Sequence, residues 1–310
     1  MPGSYTSALV LEAGARPTLV ATLRSAVPDL WTLTKPEVNF LIVIAALTGF
    51  YLGCPGNLGP FPFARLFGAL WGTLLVASGT GALNQYVEYR FDARMRRTWR
   101  RPVASGRLRP STALRFGIAL STIGVAYLLV VVNALAGVLA ALKLISYLFV
   151  YTPLKRKTPL GTLVGAFPGA MPPLIGWAAA SGSLGSEKAW ILYAVLFLWQ
   201  FPHFMAIAWM YREDYAGAGY LILPANREAR FLAWLTLGPS FALFPVSLAA
   251  VAANGGGVIP YLATAILGAA LLYYAGRQVR LRSRTAAREL LKASIIYLPL
   301  EFLILVLGKG

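Results

Sequence analysis

Long apolar segments separated by short polar intervals dominate the chain from residue 37 onward. A helix needs roughly 20 mainly apolar residues to cross the hydrocarbon core of a bilayer. Nine segments approach that length, at residues 37–53, 65–84, 111–132, 134–151, 160–180, 188–210, 230–252, 257–276 and 291–308. The pattern therefore predicts an all-α, polytopic membrane protein with nine transmembrane helices.

The polar intervals are too short to hold an independently folded domain. We therefore interpret residues 31–310 as a single membrane domain that follows an N-terminal cytoplasmic extension over residues 1–30. The extension has no continuous apolar core next to a cleavage site, so we expect no removable secretory signal. Because this extension is short, the sequence favours a bacterial inner membrane over a mitochondrial inner membrane.

The composition agrees with a membrane protein and excludes several other classes. Of the 310 residues, 58% are hydrophobic and only 13% are charged, and the mean hydropathy is +0.65. The chain has one cysteine, Cys54, and one histidine, His203. Internal disulfides and multi-histidine metal sites are therefore excluded.

The charge is strongly basic, with 28 Lys and Arg against 11 Asp and Glu and a net charge of +17. In a soluble chain this surplus would indicate nucleic-acid binding. Here the basic residues lie between apolar segments, and nine alternating helices would put 24 of them on one side and 3 on the other. The positive-inside rule then predicts a cytoplasmic N-terminus and a C-terminus outside, with membrane lipid and not nucleic acid as the partner.

Acidic residues are scarce, and two of them follow the second apolar segment at a helical spacing. Asn84, Glu88 and Asp92 are four residues apart, so they would share one face of a continuing helix. Like charges at that spacing repel each other, which a divalent cation would relieve. Mg²⁺ prefers oxygen ligands, usually one or two carboxylates together with water and substrate phosphates. We therefore predict that these three residues are catalytic and bind Mg²⁺.

Basic residues on the same predicted side could bind an anionic substrate. Arg97 and Arg101 closely follow the carboxylates, and Lys155 and Arg156 follow the fourth segment. Guanidinium groups match phosphate oxygens in geometry and charge, so the arrangement predicts a diphosphate site. The alternative is that these cations only orient the helices, which is our interpretation of the basic run at 277–288.

A second polar cluster lies near the end of the sixth segment. His203 and Asp214 are eleven residues apart and would share one face of an unbroken helix, although Pro202 favours a kink. Ionisable groups near the membrane are functional candidates, so we predict that Asp214 is catalytic and that His203 has a site role. A structural hydrogen bond is the alternative for His203. Lys143, in the middle of the fourth segment, has no partner that the sequence identifies.

Four stretches, in this order, carry a resemblance to a known family. They are Asn84-Gln85…Glu88…Phe91-Asp92…Arg96-Arg97-Thr98…Arg101-Pro102, Tyr151-Thr152-Pro153-Leu154-Lys155-Arg156, Gly165-Ala166…Pro172-Pro173…Gly176-Trp177, and Trp199-Gln200-Phe201-Pro202-His203-Phe204 leading to Glu213-Asp214-Tyr215. Over about residues 30–225 the sequence resembles the UbiA-type intramembrane prenyltransferases, and within them the branch that farnesylates haem. The last three segments agree with the family only by hydropathy.

The resemblance implies nine helices around a central cavity that opens to the cytoplasmic side. There Mg²⁺ would hold the diphosphate of farnesyl diphosphate, with help from the basic residues named above. A vinyl group of haem B would be the acceptor and haem O the product, destined for a haem-copper oxidase. The resemblance also implies a haem A synthase or oxidase assembly proteins as partners.

Two roles stay open at this level. The resemblance assigns His203 to the haem acceptor, either as an iron ligand or as a group that orients a propionate. It assigns Asp214 to the positioning of the second substrate or of the cation. Two other functions also remain open: a prenyltransferase with another acceptor, such as an aromatic acid, a quinone precursor or a chlorin, and a transporter, which the nearly uncharged outer loops disfavour.

Overall fold

The computed structural model describes residues 27–55, 60–223 and 228–309. These ranges contain nine helices that are long and apolar enough to cross a membrane, and they contain no strand: α1 Pro36–Gly53, α2 Phe63–Asp92, α3 Pro110–Val132, α4 Ala134–Leu154, α5 Gly161–Ser181, α6 Glu187–Met210, α7 Ala229–Ala253, α8 Val258–Leu281 and α9 Arg284–Leu307. The predicted all-α fold with nine spans is confirmed.

Two helices extend furthest beyond the apolar segments that predicted them. α2 continues eight residues past residue 84, and α9 begins at Arg284, seven residues before the predicted start. Ser283 caps α9 by accepting a hydrogen bond from the backbone N–H of Ala286 at 3.1 Å. Both extensions mix charged and polar residues with apolar ones, so their hydropathy is too low for a membrane span although they are compatible with a helix.

Small residues allow α1 and α5 to pack closely. α5 consists of two helices, Gly161–Gly169 and Met171–Ser181, and the second of them packs against α1. A side chain at Gly49 would overlap the carbonyl group of Pro173, and one at Gly176 would overlap that of Ala46. The two backbones are therefore in direct contact, as is common where small residues line a transmembrane interface.

The first and last spans also meet. α1 packs against α9, and beyond α9 the ammonium group of Lys309 donates to the carbonyl oxygens of Tyr51 at 2.8 Å and Cys54 at 2.9 Å. Both carbonyl groups lie at the C-terminal end of α1, where the helix dipole favours a positive charge, so the lysine stabilises this end of the helix. We call this contact the α1–α9 seam.

The opposite end of the bundle holds Lys35 and the loops after α2, α4 and α6, and we call it the basic end. Most of the predicted extension lies outside the described residues, because the description starts at residue 27. Residues 27–33 form a short helix in which Asp29 pairs with Arg107 at 3.0 Å. This helix therefore packs against the loop that follows α2.

Candidate active site

The last turns of α2 bring three predicted residues together on one buried face. With 30 residues and a rise of about 1.5 Å per residue, α2 is longer than the hydrocarbon core of roughly 30 Å. Its last turns therefore reach the basic end. No more than 4% of Asn84, Glu88 or Asp92 is exposed. The prediction that these residues share one helix face is confirmed.

Both carboxylates on this face are paired with predicted cations. Arg101 donates to Asp92 Oδ2 at 2.7 Å, and Lys155 forms an ion pair with Glu88. Carboxylates are rarely buried so completely unless they are paired. The structure thus brings the loops after α2 and α4 together at the carboxylates.

Lys35 is a third cation of this face, although its place in the sequence indicated only a contribution to the charge asymmetry. Its Nζ donates to Asn84 Oδ1 at 2.7 Å. Its backbone is left-handed with φ 55°, a conformation that costs a non-glycine residue about 1–2 kcal/mol. Gln85 Nε2 donates to the carbonyl oxygens of Thr32 at 3.3 Å and Leu33 at 3.4 Å. α2 therefore holds the segment that carries Lys35 beside the carboxylates.

The pKa values of Lys155 and Lys35 shift in opposite directions within the cluster of charges around Glu88 and Asp92. Burial is the largest single influence on Lys155 and lowers its pKa, but Glu88, through its charge and its ion pair, together with Tyr147 and Tyr220 outweighs burial and raises the pKa above its ordinary value. Burial, followed by the positive charges of Arg101 and Lys155, lowers the pKa of Lys35 to about 7, although Glu88 and Asp92 oppose the change. Three basic groups thus surround two carboxylates.

Aromatic rings surround the basic groups near this face. Lys155 Nζ lies 5.3 Å from the ring centres of both Tyr151 and Tyr220. The guanidinium group of Arg156 lies 4.6 Å from the ring centre of Phe91, in cation–π range. A cavity of about 20 Å³ opens beside Lys155 and Tyr151. Arg156 is therefore near the cluster but outside its ion pairs.

Arg97 is hydrogen-bonded to the segment that follows α6. Its backbone N–H donates to Asp214 Oδ2 at 3.3 Å, and its side chain donates to the hydroxyl group of Tyr215 at 3.2 Å. The guanidinium group also lies 5.5 Å from the ring centre of Tyr211. Asp214 thus contacts the main chain of the loop between α2 and α3, residues 93–109, which we call the arginine loop.

The expectation that His203 and Asp214 share one face of a continuous helix is wrong. α6 passes through Pro202 without a break and ends at Met210, and Tyr211, with φ −116°, leaves the helical conformation. Asp214 lies on the separate short helix Arg212–Gly217. His203 contacts α9, whereas Asp214 contacts the arginine loop.

His203 is held in a defined orientation by α6 and α9. Its ring stacks on Trp199 with centres 4.7 Å apart, and its Nδ1 lies 2.9 Å from Ser294 Oγ. Ser294 Oγ donates its proton to the carbonyl oxygen of Leu291 at 2.7 Å. It therefore acts as the acceptor for a protonated Nδ1, which leaves a lone pair on Nε2.

Lys143 remains unassigned. It lies in α4 and is 5% exposed, and among the described residues it has no ion-pair or hydrogen-bond partner for its ammonium group. Among the described residues, its ammonium group forms no ion pair or hydrogen bond with a predicted site residue.

The donor set on α2 fits Mg²⁺. It offers two carboxylates and one amide oxygen, all buried, and Asp92 Oδ1 has no hydrogen-bond partner among the described residues. Hard oxygen donors of this kind suit Mg²⁺, which usually takes its remaining ligands from water and phosphate. Nearby cations provide a place for that phosphate.

In the part of the chain that the structure describes, nine apolar helices form a bundle with carboxylates and cations gathered at one end, an arrangement suited to an anionic substrate inside a membrane. The model of the UbiA prenyltransferase family matches residues 42–297, and this chain belongs to that family. It is a multi-pass membrane prenyltransferase. Protoheme IX farnesyltransferase of Solibacter usitatus is 44% identical to it over 288 residues, which cover 91% of this chain and 98% of that protein.

Solved structures share the fold. A UbiA homologue from Aeropyrum pernix K1 has a TM-score of 0.70 at 22% identity and covers 84% of this chain and 95% of its own. A UbiA homologue from Archaeoglobus fulgidus bound to GPP and Mg²⁺ has a TM-score of 0.60 at 14% identity and covers 89% and 99%. At these identities the likeness establishes the fold alone.

Proposed function

We propose that this protein transfers the farnesyl group of farnesyl diphosphate to a vinyl group of haem B and so makes haem O. The observation that carries the proposal is the 44% identity to a protoheme IX farnesyltransferase over 98% of that protein's length. The buried carboxylates and surrounding cations of the basic end supply the chemistry that such a reaction needs.

On the donor side, Asn84, Glu88 and Asp92 would hold Mg²⁺. Bound there, the ion supplies positive charge to the diphosphate as it leaves. The Archaeoglobus fulgidus homologue, which is bound to GPP and Mg²⁺, supports Mg²⁺ as the metal, and the donor set on α2 supports these three residues as its ligands. The unpartnered Asp92 Oδ1 is a free ligand atom on this face.

Four cations would bind the diphosphate and stabilise it as a leaving group: Arg97, Arg101, Lys155 and Arg156. The C–O bond to the farnesyl group breaks, and its electron pair stays on the diphosphate. Preorganised charges stabilise such a developing anion without reorganising during the reaction. Asp214 would act as a positioning residue, because it fixes the backbone of Arg97.

On the acceptor side, the vinyl π electrons form the new C–C bond to the allylic carbon of the farnesyl group. Water then adds its oxygen to the resulting cation and loses a proton, which gives the hydroxyethylfarnesyl side chain. Apolar surroundings keep water from capturing the farnesyl cation first.

His203 would ligate the haem iron. A propionate needs an N–H donor, whereas the hydrogen bond to Ser294 places the ring proton on Nδ1 and leaves Nε2 as an electron-pair donor. Metal-bound histidines generally donate their other N–H in this way. Of the two roles left open by the sequence, the geometry favours iron ligation.

The proposed setting is a bacterial inner membrane, with the basic end facing the cytoplasm. The product would pass to a haem A synthase or to oxidase assembly proteins. Membranes that contain the protein should convert haem B to haem O when farnesyl diphosphate and Mg²⁺ are supplied, with the product identified by mass. Abundant folded protein without haem O, beside an active reference enzyme, would contradict the proposal, and a prenylated aromatic acid or chlorin would identify another acceptor.

A further inference from the structure

The ammonium group of Lys35 is hydrogen-bonded to Asn84 Oδ1, the atom through which Asn84 would bind the metal. The 2.7 Å hydrogen bond from its ammonium group fills one lone-pair direction of Asn84 Oδ1. Lys155 and Arg101 occupy the two carboxylates in the same way. Each oxygen-bearing side chain of this helix face therefore already has a cationic partner.

The charge of this cluster is unfavourable for a lone divalent cation. Three basic residues, Lys35, Arg101 and Lys155, surround the carboxylates of Glu88 and Asp92, which leaves a surplus positive charge when all are ionised. Adding Mg²⁺ alone would increase that surplus in a buried site, where charges interact strongly. A prenyl diphosphate is a multiply charged anion, so its negative charge offsets both the surplus positive charge of the cluster and the charge of the metal.

Lys35 is also held in place by more than its ammonium group. Gln85 binds the carbonyl oxygens just before it, and Asn39 Nδ2 donates to the carbonyl oxygen of Thr34 at 2.8 Å. A side chain at Gly81 would lie 3.1 Å from the carbonyl oxygen of Leu33, so the absence of one lets this segment approach α2. These contacts fix a left-handed lysine at the metal face.

We propose that Lys35 couples metal binding to diphosphate binding. Without diphosphate, its ammonium group competes with Mg²⁺ for Asn84 Oδ1 and adds to the repulsion. When a diphosphate enters, the ammonium group shifts from Asn84 to a phosphate oxygen and frees the amide oxygen for the metal. The diphosphate therefore binds before Mg²⁺ or together with it. This inference rests on the Mg²⁺ and diphosphate sites of the proposed function.

The test measures binding in detergent-purified full-length protein, using Mn²⁺ as the metal and farnesyl thiodiphosphate as a diphosphate that leaves slowly. Mn²⁺ is titrated by electron paramagnetic resonance with the protein alone and with the protein–analogue complex after removal of free analogue. The analogue is titrated by calorimetry in EDTA. In the wild type we expect analogue binding in EDTA, and Mn²⁺ binding at least about tenfold tighter with the analogue than without it.

Lys35→Met keeps a similar length and the same backbone requirement but removes the charge. We expect it to bind Mn²⁺ alone at least about tenfold tighter than the wild type and the analogue in EDTA at least about tenfold more weakly. Lys35→Arg should preserve the wild-type order. Lys157→Met is the matched control, because Lys157 is an exposed lysine near the same end, and it should change neither titration.

Unchanged or weaker Mn²⁺ binding by folded Lys35→Met would overturn the coupling, and so would a wild type that binds Mn²⁺ equally well with and without the analogue. These outcomes are distinct from failure of the haem assignment. Coupled binding together with no haem O would reject the acceptor and retain the coupling. A wild type that binds neither probe would reject the metal and diphosphate sites and the coupling together.

Discussion

Asp92 combines complete burial with one free oxygen atom, which is costly unless a ligand uses it. One oxygen is bonded to Arg101, and the other has no partner among the described residues. An unsatisfied buried acceptor costs roughly 1–3 kcal/mol. A bound cation therefore explains the unpartnered oxygen of Asp92 better than a contribution to folding stability does.

Asp92→Asn should lose at least about a hundredfold in turnover, because the amide keeps the shape but removes the negative charge that holds the metal. Haem O formation at saturating substrates measures the loss, and thermal unfolding in detergent checks the fold. Asp29→Asn is the matched control, since Asp29 also pairs with an arginine but outside the proposed site. Near-wild-type turnover of Asp92→Asn would reject the metal role.

Ser294→Ala should change haem binding without removing the histidine. Loss of the acceptor for Nδ1–H frees the imidazole to rotate or change tautomer, so we expect about tenfold weaker haem binding, in the lower range found for such outer partners. His203→Ala should bind haem more weakly still and lose the spectrum of a histidine-ligated iron. Absorbance and resonance Raman titrations measure both variants. An unchanged spectrum in His203→Ala would return His203 to a structural role.

At this scale the sequence identified the carboxylates by their spacing and missed Lys35. A periodicity of four residues survives in the structure because α2 is helical through Asp92. Lys35 is brought to Asn84 by a contact across 49 positions, which no local pattern contains. The one local signal is its place before Pro36 at the start of α1, and that signal indicates a helix end and not a site.

Among the elements, α6 differs most from its predicted form. Hydropathy located the span well, at 188–210 against Glu187–Met210. The pattern placed a kink at Pro202, where the helix continues, and gave no sign of the end at Tyr211. Neighbouring helices can compensate for a proline in a transmembrane helix, so composition alone does not locate the break.

Because α6 ends before Asp214, this side chain contacts the arginine loop. Two variants of Asp214 distinguish a role in positioning Arg97 from a role that needs the negative charge. Asp214→Asn retains an oxygen that accepts the backbone N–H of Arg97, so positioning should survive with less than about a fivefold change in KM for farnesyl diphosphate. Asp214→Ala removes the acceptor and should raise that KM by about tenfold, since the lost hydrogen bond is worth roughly 1.4 kcal/mol. Equal, large losses of kcat in both variants would show that the charge itself is needed.

At the scale of the whole molecule, the charged groups of the proposed site and the contact that joins the first and last spans lie at opposite ends of the bundle. Carboxylates and cations meet at the basic end, while Lys309 closes the α1–α9 seam at the other. The number of spans and the charge asymmetry were readable from the sequence, because both depend on the solvent that each segment meets. Which helices touch was not readable, because it depends on backbone contacts such as those at Gly49 and Gly176.

Reporter fusions should reveal opposite environments at the two ends. Alkaline phosphatase fused after Lys309 should be active and green fluorescent protein there dark, because the positive-inside rule puts the basic end in the cytoplasm. Fusions after Lys157, in the loop that follows α4, should give the reverse pattern. The same pattern at both positions would reject an odd number of spans between residues 157 and 309, and both patterns exchanged would reject the orientation.

The α1–α9 seam has a consequence for the order in which the protein is built. Lys309 reaches Cys54 across 255 positions, so this contact forms only after all nine spans have been synthesised. Until then the carbonyl groups at the end of α1 lack the ammonium donor of Lys309. Lipid then covers the surface of α1 against which α9 will pack. During biogenesis the bundle therefore has an open flank, and the ninth span, with the lysine that follows it, closes it.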